Sequence, residues 1–513
     1  MTTYILRRLL QSVLILLAAS FLVYCLVAWS GDPLMELRQS NAPNKDRLIQ
    51  ARMDQLNLDV PLVPRYFLWL KGALGCVVPF AGVCDLGTNV GGLQVTDLLA
   101  SAIPSTLRLV TTATLLAIIL GVAIGIVTAL RQYSGFDYLV TFTTFLFFSL
   151  PVFWVAVLLK EFGAIRFNDF LADPTIPPIG LAAIGLVLGV LAYLVATGSL
   201  RRRLLFFGGG VVVGAGVGYY LSASQWFLYP GLGLPLVAVF GVAIAFACTI
   251  LFAGLKNRRA LYASLIAVAL ALIAMVVLVP LFERATLWLI VGLGALAVAV
   301  GIAVGYFMGG FDRNQSMKAA GLTSLLVAGL VLLDRYFLAW PSYMANPRVK
   351  NRPIATIGSQ TSGLNGDFWV NGIDTFTHLV LPTAALILIS LASYTRYSRA
   401  SMLEVMGQDY VRTARAKGLP ERVVVTRHAF RNALIPIATI VAFDIGALLG
   451  GAVITENIFS IQGMGTLFIQ GLRNVDPPPV MGFFLVTGLM AVTFNLLADL
   501  AYSALDPRVR VKA

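Results

Sequence analysis

Long apolar runs, separated by short polar, basic or turn-rich stretches, dominate this sequence. The runs do not alternate apolar and polar positions, so they read as helices, and at about 20 residues each they suit membrane crossing. The first follows Arg7 and Arg8 and closes near Trp29. It is too long for a leader and no small-x-small cleavage site follows, so it is expected to be a first span with a cytoplasmic N-terminus. Residues 31–100 are mixed in character and read as an external segment. A second span is expected at 109–130 and a third at 138–159, kinked at Ser149-Leu150-Pro151.

Six further runs fall at 179–200, 204–225, 232–255, 260–282, 285–311 and 319–338. Arg201-Arg202-Arg203 follow the first, Lys256, Arg258 and Arg259 the third, and Arg313 and Lys318 the fifth. Basic clusters at every second boundary are what positive-inside alternation requires, and an even number of runs returns the chain to the side it left. The sixth run is the weakest, because Asp334 and Arg335 interrupt it. Otherwise the block is rich in small residues and almost free of charge, which suits tight helix packing better than an ion or solute pathway. A scaffolding, lipid-facing or partner-binding bundle is the expectation. Residues 339–377 read as an external loop, and three more spans complete the chain with a connector near 461–480 as a candidate re-entrant segment.

The polar, basic segment Ser401–Pro436 stands apart between two of these spans. Ser401 and Glu404 have the spacing of a capping box, and Leu403, Met406, Tyr410 and Ala414 recur at helical spacing, so a short helix is expected to start at Ser401. Gly418 followed by Pro420 is a helix stop. Positive-inside bias alone accounts for the Lys and Arg content of such a loop. The order of residues goes further: DYVRTARAKGLPERVVVTRHAFRNALIP resembles the cytoplasmic "EAA" loop of ABC importer permeases, specifically the dipeptide, oligopeptide and nickel branch. Arg412 stands where the leading Glu of that loop usually stands, followed by Thr413, Ala414 and the signature Gly418. Gly31-Asp32-Pro33, ENIFSIQGMG and LDPRVR are further pieces similar to the family. The resemblance covers roughly 1–160 and 367–512 and implies a six-span permease core in which Tyr410, Arg412, Thr413, Ala414, Arg415, Lys417 and Gly418 form the ATPase-coupling loop.

Composition agrees with a polytopic membrane protein: 58% of 513 residues are hydrophobic and 12% charged. The net charge of +13 is orientation information before it suggests nucleic acid, and no nucleic-acid partner is expected. No G-x-x-x-x-G-K-[ST] phosphate loop occurs, so ATP hydrolysis is expected in a separate chain. Two histidines, His378 and His428, are too few for a His-rich metal site; no metal, cofactor or catalytic residue is expected. Cys76 and Cys84 lie close together in the first external segment, where an oxidising compartment favours a disulfide; two unrelated thiols are the other reading. Asp444, inside the fifth core span, is either a pathway group or an interhelical hydrogen-bond partner, and Glu456 and Asn457 either line a gate or cap a helix.

The sequence therefore reads as an all-α polytopic membrane protein in three parts: permease core 1–165, inserted multi-span block with its external loop 166–366, and core 367–513 carrying the coupling loop 401–436. The resemblance implies a permease subunit in the inner (plasma) membrane of a prokaryote, both termini cytoplasmic. Its expected partners are a second permease subunit, two ATP-binding cassette ATPases, an extracytoplasmic substrate-binding protein and membrane lipid. A self-contained secondary transporter would instead show internal repeats, and none relates the two halves. A non-transporting scaffold that keeps the loop as a docking site is the third reading.

Overall fold

The computed structural model describes the backbone of residues 2–78 and 82–505; the side chains of 2–6, 422, 435, 439, 442–451 and 497–505 lie outside the described set. Among the described residues the chain is helical, with a lone antiparallel bridge between Thr88 and Gln94. The first part of the core holds α1 (Thr2–Trp29), three shorter helices α2 (Met35–Gln39), α3 (Lys45–Leu56) and α4 (Leu62–Val77), and then α5 (Val95–Leu130). It continues through α6 (Gly135–Ser149), α7 (Val152–Lys160), a π-turn at Glu161–Ile165 and α8 (Arg166–Phe170). The block comprises α9 (Pro178–Val195), α10 (Leu200–Ala223), α11 (Gly233–Phe252), α12 (Arg258–Val277), the short α13 (Val279–Glu283), α14 (Leu287–Met308) and α15 (Arg313–Met344). The core resumes with α16 (Phe368–Met406), α17 (Asp409–Ala416), α18 (Glu421–Val423), α19 (Phe430–Ile458), α20 (Met464–Arg473) and α21 (Pro477–Leu505).

Ten helices among the described residues are long and apolar enough to cross a membrane. The pair α6 and α7–α8 adds one broken span, and α19, at 29 residues, is long enough for another. The six runs of the block each form a long helix, as expected. The third span differs: in place of a kinked helix over 138–159, α6 and the following helix meet at 101°. Pro151 lacks an N–H, and the residue before it, Leu150, is driven to extended backbone (ψ 131°), so the helix ends instead of bending.

In the core, α5 and α16 form the central pair. A Cβ at Gly125 would lie 2.6 Å from the Ser398 Cβ, so this position admits only glycine at the observed helix separation. A 36-residue helix is about 54 Å long, well beyond a hydrocarbon layer, so α5 and the 39-residue α16 both project from the membrane. Leu109, Val110, Ala113, Val155, Ala156, Ala385 and Leu386 pack the bundle between them and α7. In the block, α9 pairs with α10, while α11, α12 and α14 surround α15.

The two charges that interrupt the sixth run are both employed at helix ends. Asp334 is buried and accepts the Leu232 and Gly233 N–H groups at 2.8 and 2.9 Å, supplying the acceptor that α11 needs at its N-terminus. Arg335 donates to the Met275 carbonyl in the last turn of α12 at 2.8 Å and stacks over Phe282.

Candidate functional site: the short basic helix and the latch at the opposite end of the bundle

The basic segment begins differently from the capping-box expectation. Ser401 lies inside α16, its backbone already in the helical ladder, and its hydroxyl donates to the Ala433 carbonyl of α19 at 2.9 Å. The break falls at Gly407–Gln408, so Leu403 and Met406 belong to the end of a span and not to the short helix. That helix, α17, carries Tyr410, Arg412, Thr413, Ala414 and Arg415.

Its two faces are sharply different. Val411 and Ala414 are buried in one cluster with Ala129 at the end of α5, Met402 at the end of α16, and Val424, Ala429 and Ala433 at the entry to α19. Asp409, Tyr410, Arg412, Thr413, Arg415 and Lys417 are exposed. Tyr410, though exposed, accepts a hydrogen bond from Asn432 Nδ2 at 3.0 Å, which ties α17 to α19 a second time. Gly418 then takes φ +73°. Its N–H bonds the Arg415 carbonyl at 2.9 Å, and the chain turns away into Leu419-Pro420. Across this turn the Arg415 guanidinium donates to both Glu421 oxygens, at 3.1 and 2.7 Å. Those hydrogen bonds hold the Glu421 carboxyl below the usual carboxylate range and raise Arg415. A π-turn at Val424–Ala429 carries the chain into α19.

Close by, Arg399 of α16 makes a two-pronged ion pair with Asp137 of α6, both contacts at 3.0 Å. The Asp137 side chain is 4% exposed and also accepts the Tyr133 N–H at 3.0 Å. This pair joins α6 to α16 near the same end of the bundle as α17, and the sequence reading did not single it out.

At the other end of α19, Glu456 is fully buried. Its Oε1 accepts the Thr106 hydroxyl of α5 at 2.6 Å and its Oε2 accepts the Gly465 N–H of α20 at 2.7 Å. Thr106 in turn accepts the Met464 N–H at 2.8 Å. Glu456 is thus a latch between three elements and its carboxylate faces no open space, while Asn457 beside it is exposed. Lys160 donates to the Ile458 carbonyl at 2.8 Å, a cation at the C-terminal end of α19. The loop after α15 closes over this end: the Gly358 N–H bonds the Phe459 carbonyl at 2.9 Å, and Asp374 accepts from Tyr343 and from both Thr361 donors. The side chain of Asp444, on α19, lies outside the described residues, as does LDPRVR beyond Leu505. In the segment between α1 and α5, Cys76 and Cys84 are joined in a disulfide.

Comparison with known proteins places this geometry. Residues 301–511 match the family model described as "Binding-protein-dependent transport system inner membrane component". The "Oligopeptide transport system permease protein OppB" of Mycobacterium tuberculosis (strain ATCC 25618 / H37Rv) is 26% identical over 511 residues, covering 100% of both chains, so similarity runs through the block as well as the core. The "Dipeptide transport system permease protein DppB" of Escherichia coli (strain K12) is 37% identical over 247 residues, 46% of this chain and 73% of the relative. The chain belongs to the binding-protein-dependent transport system inner membrane component family.

Proposed function

We propose that this chain is a translocation subunit of a peptide importer driven by a separate ATPase, and that α17 is where the driving motion enters it. The carrying observation is the seating of α17: Val411 and Ala414 share one buried cluster with the ends of α5 and α16 and the start of α19. A displacement of this one short helix therefore acts on three spans at once. The exposed Arg412, Thr413 and Lys417 face outward beside Tyr410, and Gly418 with the Arg415–Glu421 clamp fixes the angle at which α17 is presented. The names of the relatives support peptides as the solute class.

In this reading a second permease subunit completes the pathway, two ATPases dock below and an external binding protein delivers solute. ATP binding switches access only if the ATPase pair contacts the two permease conformations unequally, because equal contacts shift nothing. The termini and α17 lie on the cytoplasmic side, consistent with basic clusters after α9, α11 and α14. Uptake of a labelled oligopeptide into cells carrying the transporter, with and without its ATPase subunits, tests the proposal. Uptake that depends on the ATPases and fails when α17 is disrupted is expected; uptake that persists without them would mean a self-contained carrier.

A further inference from the structure

The block carries a slot that its own side chains leave unfilled. It holds about 290 Å³ between α12 and α14, with α15 as its floor. Small residues make it: Ala267, Ala271 and Ala274 from α12, Gly294 and Ala297 from α14, and Ala328 from α15 all line it. Closer packing does not take up the missing volume, because the helices are spaced by contacts beyond the slot. A Cβ at Gly301 of α14 would lie 2.7 Å from the Ala320 carbonyl oxygen of α15, and Val268 of α12 is packed with Val327 of α15.

One end of the slot is closed by Phe282 of α13. That ring is fixed in place: Arg335 stacks over it, and the Trp369 Nε1 donates to the Phe282 carbonyl at 2.8 Å. One long side is open. Leu270 of α12 and Leu296 of α14 are its lips, 39% and 57% exposed. Both helices are long and apolar enough to cross a membrane, so the opening lies at the depth of the hydrocarbon.

The dimensions decide the occupant. From Ala267 to Leu278 the lining follows α12 for about 16 Å, close to the ~15 Å of one hydrocarbon leaflet. Spread over that length, 290 Å³ leaves a cross-section of about 18 Å², against about 80 Å² for even a slender helix. A further helix is therefore too thick for the slot, whereas a single alkyl chain is slender enough. An apolar space of this kind stays dry, and left empty it deprives its lining of dispersion contacts that a hydrocarbon restores.

We propose that this slot binds one acyl chain of a membrane phospholipid, which enters sideways between Leu270 and Leu296 and lies against the small residues of α12 and α14. The chain belongs to the leaflet remote from Arg258 and Arg259 at the start of α12, the external one in the orientation proposed above.

Gly294 provides the test. Nothing lies within 4 Å of where its Cβ would stand, so a larger side chain there enters the slot without meeting the protein. Gly292, on the far face of α14, is equally open and does not line the slot. Full-length protein is placed in nanodiscs containing phosphatidylethanolamine with a diazirine midway along one acyl chain, irradiated, and its labelled peptides mapped by mass spectrometry. The wild type is expected to carry label concentrated on the slot-lining residues of α12 and α14. Gly294→Leu should cut that label about tenfold and Gly294→Ala about twofold, as added volume excludes the chain. Gly292→Leu should leave it unchanged. Should Gly294→Leu fail to fold, Gly294→Ala carries the test. Wild-type labelling in the Gly294 variants, or label spread evenly over the exposed faces of the block, overturns the site. Loss of the wild-type label when the other subunits of the transporter are present overturns the lipid in favour of a protein contact.

Discussion

The Thr106 hydroxyl meets the Glu456 side chain at 2.6 Å across 350 positions of sequence, joining α5 to the C-terminal end of α19. The same side chain accepts the Gly465 N–H on its other oxygen, so Glu456 holds α20 as well as α5. In Glu456→Gln the amide must turn an N–H₂ towards one of these donors. The Thr106 oxygen can accept that N–H alongside the Met464 N–H, but its own hydroxyl proton then loses the acceptor it has in the wild type. The expected cost is about 1–3 kcal/mol. A lowered melting midpoint of the purified protein, with faster proteolysis between α19 and α20, checks it; an unchanged midpoint would contradict the latch.

Gly418 takes φ +73° and nothing lies within 4 Å of where a Cβ would stand, so the demand there is conformational and not steric. A β-branched side chain in left-handed backbone costs about 1–2 kcal/mol, enough to shift a two-state population roughly tenfold. Gly418→Val is expected to reduce peptide uptake about tenfold with membrane abundance unchanged, whereas Gly418→Asn, which tolerates this geometry, retains most of it. Immunoblotting of membranes alongside uptake separates the two readouts. Equal uptake by wild type and the Val variant would remove the turn from the coupling role.

Arg399→Ala leaves Asp137 buried, with the Tyr133 N–H and the weak Thr141 contact at 3.5 Å as its remaining partners. Losing one member of a buried pair is costly, and with the Arg399 side chain 33% exposed the expected loss is about 1–3 kcal/mol. Arg399→Lys recovers the charge but not the fork. By contrast Arg412 and Asp409, 3.7 Å apart and both open to solvent, contribute nothing measurable, so Arg412→Ala should leave the melting midpoint in place. Melting curves of the two alanine variants side by side distinguish these cases.

Most of the long helices were legible because apolar runs are local signals, whereas the third span, expected as one kinked helix, breaks at Pro151 into two helices 101° apart. The start of α17 was not legible either: S-x-x-E looks the same at a helix start and inside a long helix, and only the Ser401–Ala433 contact tells them apart. Asp334 and Arg335 interrupt the sixth run with no local sign of their use, because the helix end that Asp334 satisfies lies about a hundred positions away and the one that Arg335 satisfies lies 60 away. Glu456 carried two readings in sequence, and its partner Thr106 gave no sign of itself among the other threonines of α5. Such pairings are made by the packing of spans, which periodicity along one helix does not encode.

Asp476, just ahead of α21, is 2% exposed, and burial pushes its carboxyl up to about 6 against the opposing pull of the Val90 N–H, which it accepts at 2.8 Å, and the charge of Arg52. In the unfolded chain the group titrates near 3.9. Between those values the folded protein binds the extra proton, so acidification favours the folded state: the gain is fully present below about 4 and is lost as pH rises through about 6. The shift of about two pH units sets a ceiling of roughly 3 kcal/mol on the difference. Melting midpoints of the purified protein should therefore be higher at pH 5 than at pH 7.5 by an amount that Asp476→Asn abolishes. Arg52→Gln removes a charge that favours the carboxylate, so it should move the transition to higher pH. A midpoint difference that survives Asp476→Asn would assign it to another group.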